Sequence, residues 1–153
     1  MAGQILRRGV SAVGGRGDHK AQEMKTIIAG GRTITNSKVV SRAIKSAIAS
    51  GLEVTEVVTG GAKGVDSIAH RMASAGGLVT RVFPADWDTH GKAAGPIRNR
   101  QMAEYADALI AVWDGESRGT GNMIDEAKAR GLEVFVYIVE PDTPKKREIP
   151  VGL

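Results

Sequence analysis

Glycine-rich and polar segments follow four apolar stretches of the chain, and their residue types suit an anionic small molecule. Gly30-Gly31-Arg32 follows the first stretch, and residues 59–66 (TGGAKGVD) follow the second. Residues 84–87 (PADW) follow the third, and residues 114–122 (DGESRGTGN) follow the fourth. Glycine lets backbone N–H groups approach a ligand closely, and the start of a helix attracts anions. A Gly-Gly after a strand is more often only a tight turn between strand and helix. Because helices are expected to begin within the second and fourth segments, however, the pattern as a whole favours an anion-binding site.

Two arginines and an asparagine precede the fourth apolar stretch, in the segment GPIRNR at residues 95–100. For an isolated arginine, a solvated helix face is the simpler interpretation. The polar segments, however, are all expected at one edge of one sheet, an arrangement that random surface composition would rarely produce. Arg98-Asn99-Arg100 therefore either stabilises the fold or binds a ligand, and these residues alone leave both interpretations open.

Several other residues near the expected site also have a purely structural interpretation. Asp66, Thr120 and Asn122 lie close to expected helix starts, where they could act as capping residues. Trp87 and Trp113 could be aromatic side chains of the core or of its rim.

Alternating strand and helix patterns predict the scaffold that positions these residues. Strands are predicted at residues 26–29, 53–59, 78–83, 107–113 and 132–139. Helices are predicted at residues 37–50, 65–75, 96–105 and 120–130, the first of them capped by Ser37. This alternation predicts an α/β fold with a five-stranded, mostly parallel sheet and helices on both faces. Ligands of such sheets bind outside the carboxyl ends of the strands, where the strand order reverses.

Length and composition indicate one folded domain without a metal or disulfide framework. The chain has 153 residues, a net charge of +4 and no Cys, and its three His lack the spacing of a zinc site. No apolar run reaches the roughly 18 residues of a membrane span, so a cytoplasmic protein is expected. We predict that residues 1–23 form a flexible basic extension, residues 24–140 the domain and residues 141–153 a tail.

Two common phosphate-binding motifs do not fit the chain. The glycine spacing in residues 60–64 (GGAKG) differs from G-x-G-x-x-G, and no GxxxxGK[ST] is present. Neither an ordinary dinucleotide dehydrogenase nor a P-loop NTPase is therefore supported.

Four segments together resemble the SLOG superfamily of Rossmann-like three-layer sandwich domains. They are TGGAKGVDSIAHRMA, FPADW, GPIRNRQM and ADALIAVWDGESRGTGNMIDEA. The resemblance covers Met24 to about Val139 and is to the YspA-like, YpsA-related branch of small bacterial and phage proteins. The LOG phosphoribohydrolases and the DNA-processing protein A domain are more distantly similar.

The resemblance implies a nucleotide or nucleotide-derived ligand, such as an ADP-ribose species, lying across the strand ends, with no cofactor required. Its phosphate would meet the loop at Gly119-Thr120, and Arg98 and Asn99 would contact phosphate or ribose. The full set of expected ligand-binding residues is Gly30, Gly31, Arg32, Gly60, Gly61, Ala62, Gly64, Asp66, Asp86, Trp87, Arg98, Asn99, Asp114, Gly115, Ser117, Gly119, Thr120 and Asn122.

One departure from the family pattern bears on catalysis. LOG enzymes carry Gly-Thr-x-Glu-Glu after the fourth strand, where this chain reads Gly119-Thr120-Gly121-Asn122-Met123. Asn122 stands at the position of a catalytic Glu, and an amide cannot act as a carboxylate base. A displaced carboxylate would be needed, and Asp86, Asp114 and Glu116 are weak candidates for it.

The leading hypothesis is therefore a protein that binds its ligand as a sensor or sequestering protein. The alternative is an N-glycosidase of the phosphoribohydrolase type. Single-stranded DNA binding is a third hypothesis, which the 4% aromatic content and the modest charge argue against. The resemblance also implies a homodimer or higher homo-oligomer, which could pair through the helix at residues 96–105.

Overall fold

The computed structural model describes residues 5–7 and 23–140. Its strands are β1 (Ile5–Arg7), β2 (Lys25–Gly30), β3 (Glu56–Thr59), β4 (Val79–Val82), β5 (Ala108–Trp113) and β6 (Glu133–Ile138). Its helices are α1 (Ser37–Ala49), α2 (Val65–Ala75), α3 (Trp87–His90), α4 (Ala94–Tyr105) and α5 (Arg118–Ala129), with a 3₁₀ turn at Gly91–Ala93.

The strands form one sheet in the order β1-β6-β5-β2-β3-β4. β2 to β6 are parallel to one another, whereas β1 runs antiparallel beside β6. The chain builds outward from β2 to β4 and then crosses to β5, on the other side of β2. The strand order therefore reverses between β2 and β5. The predicted α/β fold is confirmed, with β1 as a sixth strand.

Two apolar cores lie on the two faces of the sheet. One packs α1 and α2 against a face that includes Ile28 and Ile110. The other packs α4 and α5 against a face that includes Ile27 and Leu109. Successive side chains of a strand point to opposite faces, so strands covered on both faces must be apolar at nearly every position. The result is the three-layer sandwich that the resemblance implies.

The start of α1 differs from its prediction by one residue. The capping residue is Asn36, whose Oδ1 accepts a hydrogen bond of 2.9 Å from the Lys38 N–H. Ser37, predicted as the cap, is the first helical residue instead. Asparagine and serine cap by the same chemistry, and Asn36 has the extended backbone that a cap requires.

Residues 85–95, between the predicted strand at 78–83 and the predicted helix at 96–105, contain a short helix that was not predicted. The Asp86 carboxylate accepts a hydrogen bond of 3.1 Å from the Thr89 N–H and so begins α3. The 3₁₀ turn then leads directly into α4, which starts at Ala94 rather than at Pro96. This continuous helical segment places Trp87 beside the start of α4.

Residues 5–7 form a strand inside the segment predicted as a flexible extension, since they pair with residues 135–137 of β6. The other residues of that prediction, 1–4 and 8–22, and the predicted tail at 141–153 lie outside the described residues. In the part of the chain that the structure describes, no helix has the length and apolarity to cross a membrane.

Candidate functional site

A cavity of about 630 Å³ opens where the strand order reverses, at the carboxyl ends of β2 and β5. Its wall combines the loop after β2, the loop between β5 and α5, the start of α2 and the first half of α4. The lining residues that carry charge are Arg32, Asp66, Arg98, Asp114 and Arg118. In an open parallel sheet this is the position at which ligands bind.

The end of β2 and the loop after β3 each lie so close to a neighbour that a glycine is required there. A Cβ at Gly30 would lie 2.5 Å from the Val112 carbonyl oxygen. The Gly31 carbonyl accepts a hydrogen bond of 3.3 Å from the Val65 N–H at the start of α2. A Cβ at Gly64 would lie 2.4 Å from that same carbonyl oxygen. The loops after β2 and β3 are therefore in direct backbone contact.

Asp66 organises the loop after β3 from inside the protein. It is 5% exposed, and its Oδ2 accepts hydrogen bonds from the N–H groups of Gly60 at 2.9 Å and Ala62 at 3.4 Å. Burial raises the pKa of this carboxyl, although the N–H donors and the nearby Arg98 guanidinium partly offset the increase. Asp66 is thus a loop-holding residue rather than the cap of α2, which begins after Gly64 without a side-chain cap.

Arg98 joins α4 to the ends of two strands. Its Nη1 donates to the Gly60 carbonyl at 2.8 Å and to the Phe83 carbonyl at 3.4 Å. Its Nε donates to the Asn99 Oδ1 at 3.0 Å. The half-buried guanidinium also lines the cavity. Much of its donor capacity therefore holds the cavity wall in place.

Asn99 continues this connection to α5. It is 6% exposed, and its Nδ2 donates to the Gly119 carbonyl at 3.2 Å and to the Asn122 Oδ1 at 2.9 Å. Asn122, the residue at the position of the LOG Glu, is thus a partner of Asn99. Arg100 points elsewhere, since its Nε lies 3.9 Å from the Glu126 carboxylate and it does not line the cavity.

The loop between β5 and α5 is held by its own side chains. The Asp114 Oδ1 accepts hydrogen bonds of 2.8 Å from the N–H groups of Glu116 and Ser117. The Trp113 Nε1 donates to the Ser117 carbonyl at 3.0 Å. These contacts hold the loop in a conformation that places the start of α5 in the cavity wall.

The start of α5 carries free hydrogen-bond donors. Ser117 precedes the helix without a side-chain capping bond, and the first helical bond joins the Gly121 N–H to the Ser117 carbonyl at 3.0 Å. The N–H groups of Arg118, Gly119 and Thr120 come before that bond and have no intrahelical acceptor. Helix geometry also gives this end a partial positive charge. These features are typical of an anion-binding helix start.

Two exposed arginines add full positive charge to this region. Arg32 and Arg118 line the cavity, and neither guanidinium is in an ion pair with another described residue. Arginine at an uncapped helix start is well suited to a phosphate group.

Most of the predicted ligand-binding residues line the cavity, namely Gly30, Gly31, Arg32, Ala62, Asp66, Trp87, Arg98, Asn99, Asp114, Ser117, Gly119, Thr120 and Asn122. The others lie outside its lining, namely Gly60, Gly61, Gly64, Asp86 and Gly115, as does the catalytic candidate Glu116. Gly60 lies against the Arg98 guanidinium, and Asp86 caps α3. Whether any of these residues contacts a ligand stays a prediction.

Several lining residues were missed by the sequence analysis, namely Ala29, Thr33, Gly95, Pro96, Met102, Arg118 and Met123. Arg118 had a usable signal, because it lies in the segment between β5 and the expected helix. The two methionines are 1% exposed, and nothing in the sequence distinguishes them from core residues.

A second cavity of about 610 Å³ lies between α1 and α2, near the amino ends of β3 and β4. Its lining is mainly apolar and includes Ile44, Ile48, Met72 and Leu78. It contains none of the predicted site residues. Within residues 23–140, no group of three or more His, Cys, Asp or Glu is arranged to hold a metal ion.

Comparison with known proteins gives a family match and one similar phage protein. The model of the YspA, cpYpsA-related SLOG family matches residues 24–90. Gene 61 protein of Mycobacterium phage D29 is 41% identical over 91 residues, which are 56% of this chain and 73% of the phage protein. No solved structure matches the chain significantly. The family match includes the loops after β2, β3 and β4, whereas Arg98 and the start of α5 follow it.

Proposed function

The chain belongs to the YspA, cpYpsA-related SLOG family, and from this membership and the geometry of the cavity we propose that it binds a nucleotide or nucleotide-derived ligand as a sensor or sequestering protein. Membership of the SLOG family is consistent with a nucleotide-derived ligand in general. The proposed site is the cavity between the ends of β2 and β5.

One observation carries the proposal: the uncapped start of α5 faces a cavity at the point where the strand order reverses. Arg118 lies in the first turn of that helix, and Arg32 lines the same cavity from the loop after β2. Backbone N–H groups, the helix dipole and two guanidinium groups together favour a phosphate.

The polar residues near this end suit a ribose. The Asp114 carboxylate lines the cavity and, among the described contacts, accepts its loop hydrogen bonds through Oδ1. Its Oδ2 could therefore accept a bond from a sugar hydroxyl. The buried Thr120 side chain also lines the cavity. A phosphate with an attached sugar therefore matches the arrangement of the α5 start, the arginines, Asp114 and Thr120.

The positions of the carboxylates support binding over N-glycosidic cleavage. Asp86 and Glu116 lie outside the cavity lining, and Asp86 caps α3. Asp66 lines the cavity, but its Oδ2 is occupied by two loop N–H groups. At the position of the LOG Glu, Asn122 accepts a hydrogen bond from Asn99. Asp114 is the one catalytic candidate that lines the cavity, and its Oδ1 is occupied by two loop N–H groups. We therefore favour a binding protein, and the alternative hydrolase would depend on the Asp114 carboxylate.

Native mass spectrometry of the purified protein, followed by denaturing release, tests this proposal. We expect an intact nucleotide or nucleotide-derived compound to be released from the wild type and to be reduced or absent in an Arg118→Gln variant. Lys128→Gln is the matched control, because Lys128 is an exposed residue in the last turn of the same helix. Release of a free base with a ribose phosphate would favour the hydrolase instead, and an empty wild type would contradict a tight sequestering role.

A further inference from the structure

We propose that Trp87 is the platform on which the base of the ligand stacks, so that the cavity selects nucleotides over sugar phosphates. This inference rests on the proposed function and adds the chemical class of the second end of the ligand. The phosphate end is the start of α5, and the base end is α3 with the beginning of α4.

The exposure of Trp87 is the first observation. Trp87 is 48% exposed and lines the cavity. The other large apolar residues that are exposed within the described ranges are Ile48, Leu78, Val79 and Val82, and none of them lines this cavity. An exposed indole leaves apolar surface in water that a planar ligand ring would cover.

The position of the ring is the second observation. A Cβ at Gly95 would lie 3.4 Å from the Trp87 Cη2, so the indole lies against the backbone at the start of α4. Gly95 and Pro96 line the cavity beside it. Asp86 fixes the start of α3 by accepting from the Thr89 N–H. One edge of the indole thus lies near the Gly95 backbone, while about half of the residue stays exposed.

The distribution of charge in the cavity is the third observation. Arg32 lies in the loop after β2 and Arg118 at the start of α5, whereas Trp87 follows β4. A compound that uses both regions must carry an anionic group and a planar apolar group. Every nucleobase has a π face, so stacking on an indole accepts different bases.

Titration calorimetry with AMP, GMP, CMP, UMP and ribose 5-phosphate tests the inference. We expect the wild type to bind at least one of the nucleotides roughly tenfold or more tightly than ribose 5-phosphate, because stacking is lost with the sugar phosphate. In Trp87→Leu this difference should nearly disappear, while Trp87→Phe should retain most of it. Circular dichroism of both variants should match that of the wild type, since about half of Trp87 is exposed and it belongs to neither apolar core.

The outcomes separate this inference from the proposed function. Equal affinity of the wild type for ribose 5-phosphate and for all four nucleotides would overturn the inference and leave the phosphate site standing. Unchanged nucleotide affinity in a folded Trp87→Leu variant would also overturn it. If the wild type bound none of the five compounds, the inference and nucleotide binding would fail together.

Discussion

Asn99 lies at the centre of the hydrogen bonds that hold the cavity wall together. It accepts from Arg98 through Oδ1 and donates to Gly119 and Asn122 through Nδ2. These bonds connect α4 with α5 and, through Arg98, with the ends of β3 and β4. A single amide therefore joins three elements of the cavity wall.

Replacing Asn99 by Ala should lower the free energy of unfolding by about 1–3 kcal/mol, because three hydrogen bonds of a buried amide to partly buried groups are lost. Chemical denaturation measures the change. Gln101→Ala is the control, since Gln101 is an exposed residue of the same helix and should change the free energy by less than about 0.5 kcal/mol. Equal effects of the two substitutions would contradict the role of Asn99.

Asp66 should make stability depend on pH in an unusual direction. Burial raises the pKa of Asp66 in the folded protein, so folding favours its protonated form. Its ionisation therefore destabilises the fold as pH rises from the ordinary Asp pKa through the raised folded pKa, and the full cost remains above that value. An Asp66→Asn variant has no such titration.

The difference in unfolding free energy, wild type minus Asp66→Asn, should accordingly increase as pH is lowered from 7 toward 4. Taking the difference cancels the titration of the other carboxylates. Urea denaturation at several pH values measures it. A difference that stays constant, or that decreases as pH falls, would show that the N–H donors and Arg98 outweigh the burial of the carboxyl.

At the residue scale, the sequence predicted which residues line the cavity better than it predicted their hydrogen-bond partners. Arg98 and Asn99 were singled out, and both line the cavity. Their hydrogen bonds to Gly60 and Gly119 depend on contacts between segments about 20–40 residues apart, which local patterns do not contain. Trp87 carried no signal that distinguished an exposed ring from a core ring.

At the scale of elements, the connection between β3 and α2 depends on Gly64. Its φ of +75° is unfavourable for other residues, and its Cα lies close to the loop after β2. The start of α2 and that loop are joined by the hydrogen bond from Val65 to Gly31. A side chain at position 64 would push the two loops apart.

Gly64→Ala should therefore destabilise the protein by about 2–4 kcal/mol, combining backbone strain with a steric clash. Gly119→Ala is the matched control for stability, because no atom lies within 4 Å of a Cβ at Gly119 and its φ is not positive. Thermal unfolding of both variants measures the difference. A Gly64→Ala variant as stable as Gly119→Ala would contradict this account of the loop contact.

Elements whose apolar residues recur with a clear period were predicted well, and short elements were not. The predicted bounds of α2 match the observed Val65–Ala75, because its apolar residues recur at helical spacing between glycines. α3 has four residues, too few to show a period, and it depends on the Asp86 cap. β3 begins at Glu56 rather than at residue 53, since its start is set by pairing with β2.

At the scale of the whole molecule, the strand order reverses between β2 and β5, and the proposed site lies at that reversal. β1 lies at the far edge of the sheet, separated from the cavity by β6. Its pairing with β6 was not predictable, because the flanking sequence has no sustained period. Self-association through α4 stays a prediction, and the exposed residues of that helix include Arg100, Gln101 and Glu104.

Deleting residues 1–8 removes β1 and exposes the edge of β6. We expect the free energy of unfolding to fall by about 1–3 kcal/mol, the contribution of the few backbone hydrogen bonds that three paired residues can form. Nucleotide affinity, measured by titration calorimetry, should stay within about twofold of the full chain. An unchanged stability would show that the pairing contributes little, and a large loss of affinity would place β1 closer to the site than the sheet order does.

The measurement that tests the central claim most directly is a two-dimensional amide NMR titration of the full chain with AMP. Nucleotide binding at the reversal of strand order predicts saturable shifts for the amides of four residues that line the cavity. They are Gly31 and Arg32 in the loop after β2, and Arg118 and Gly119 at the start of α5. The amide signals of residues that line the apolar cavity between α1 and α2, such as Ile48, should not shift. Shifts concentrated in that second cavity, or no saturable shift anywhere, would contradict the account.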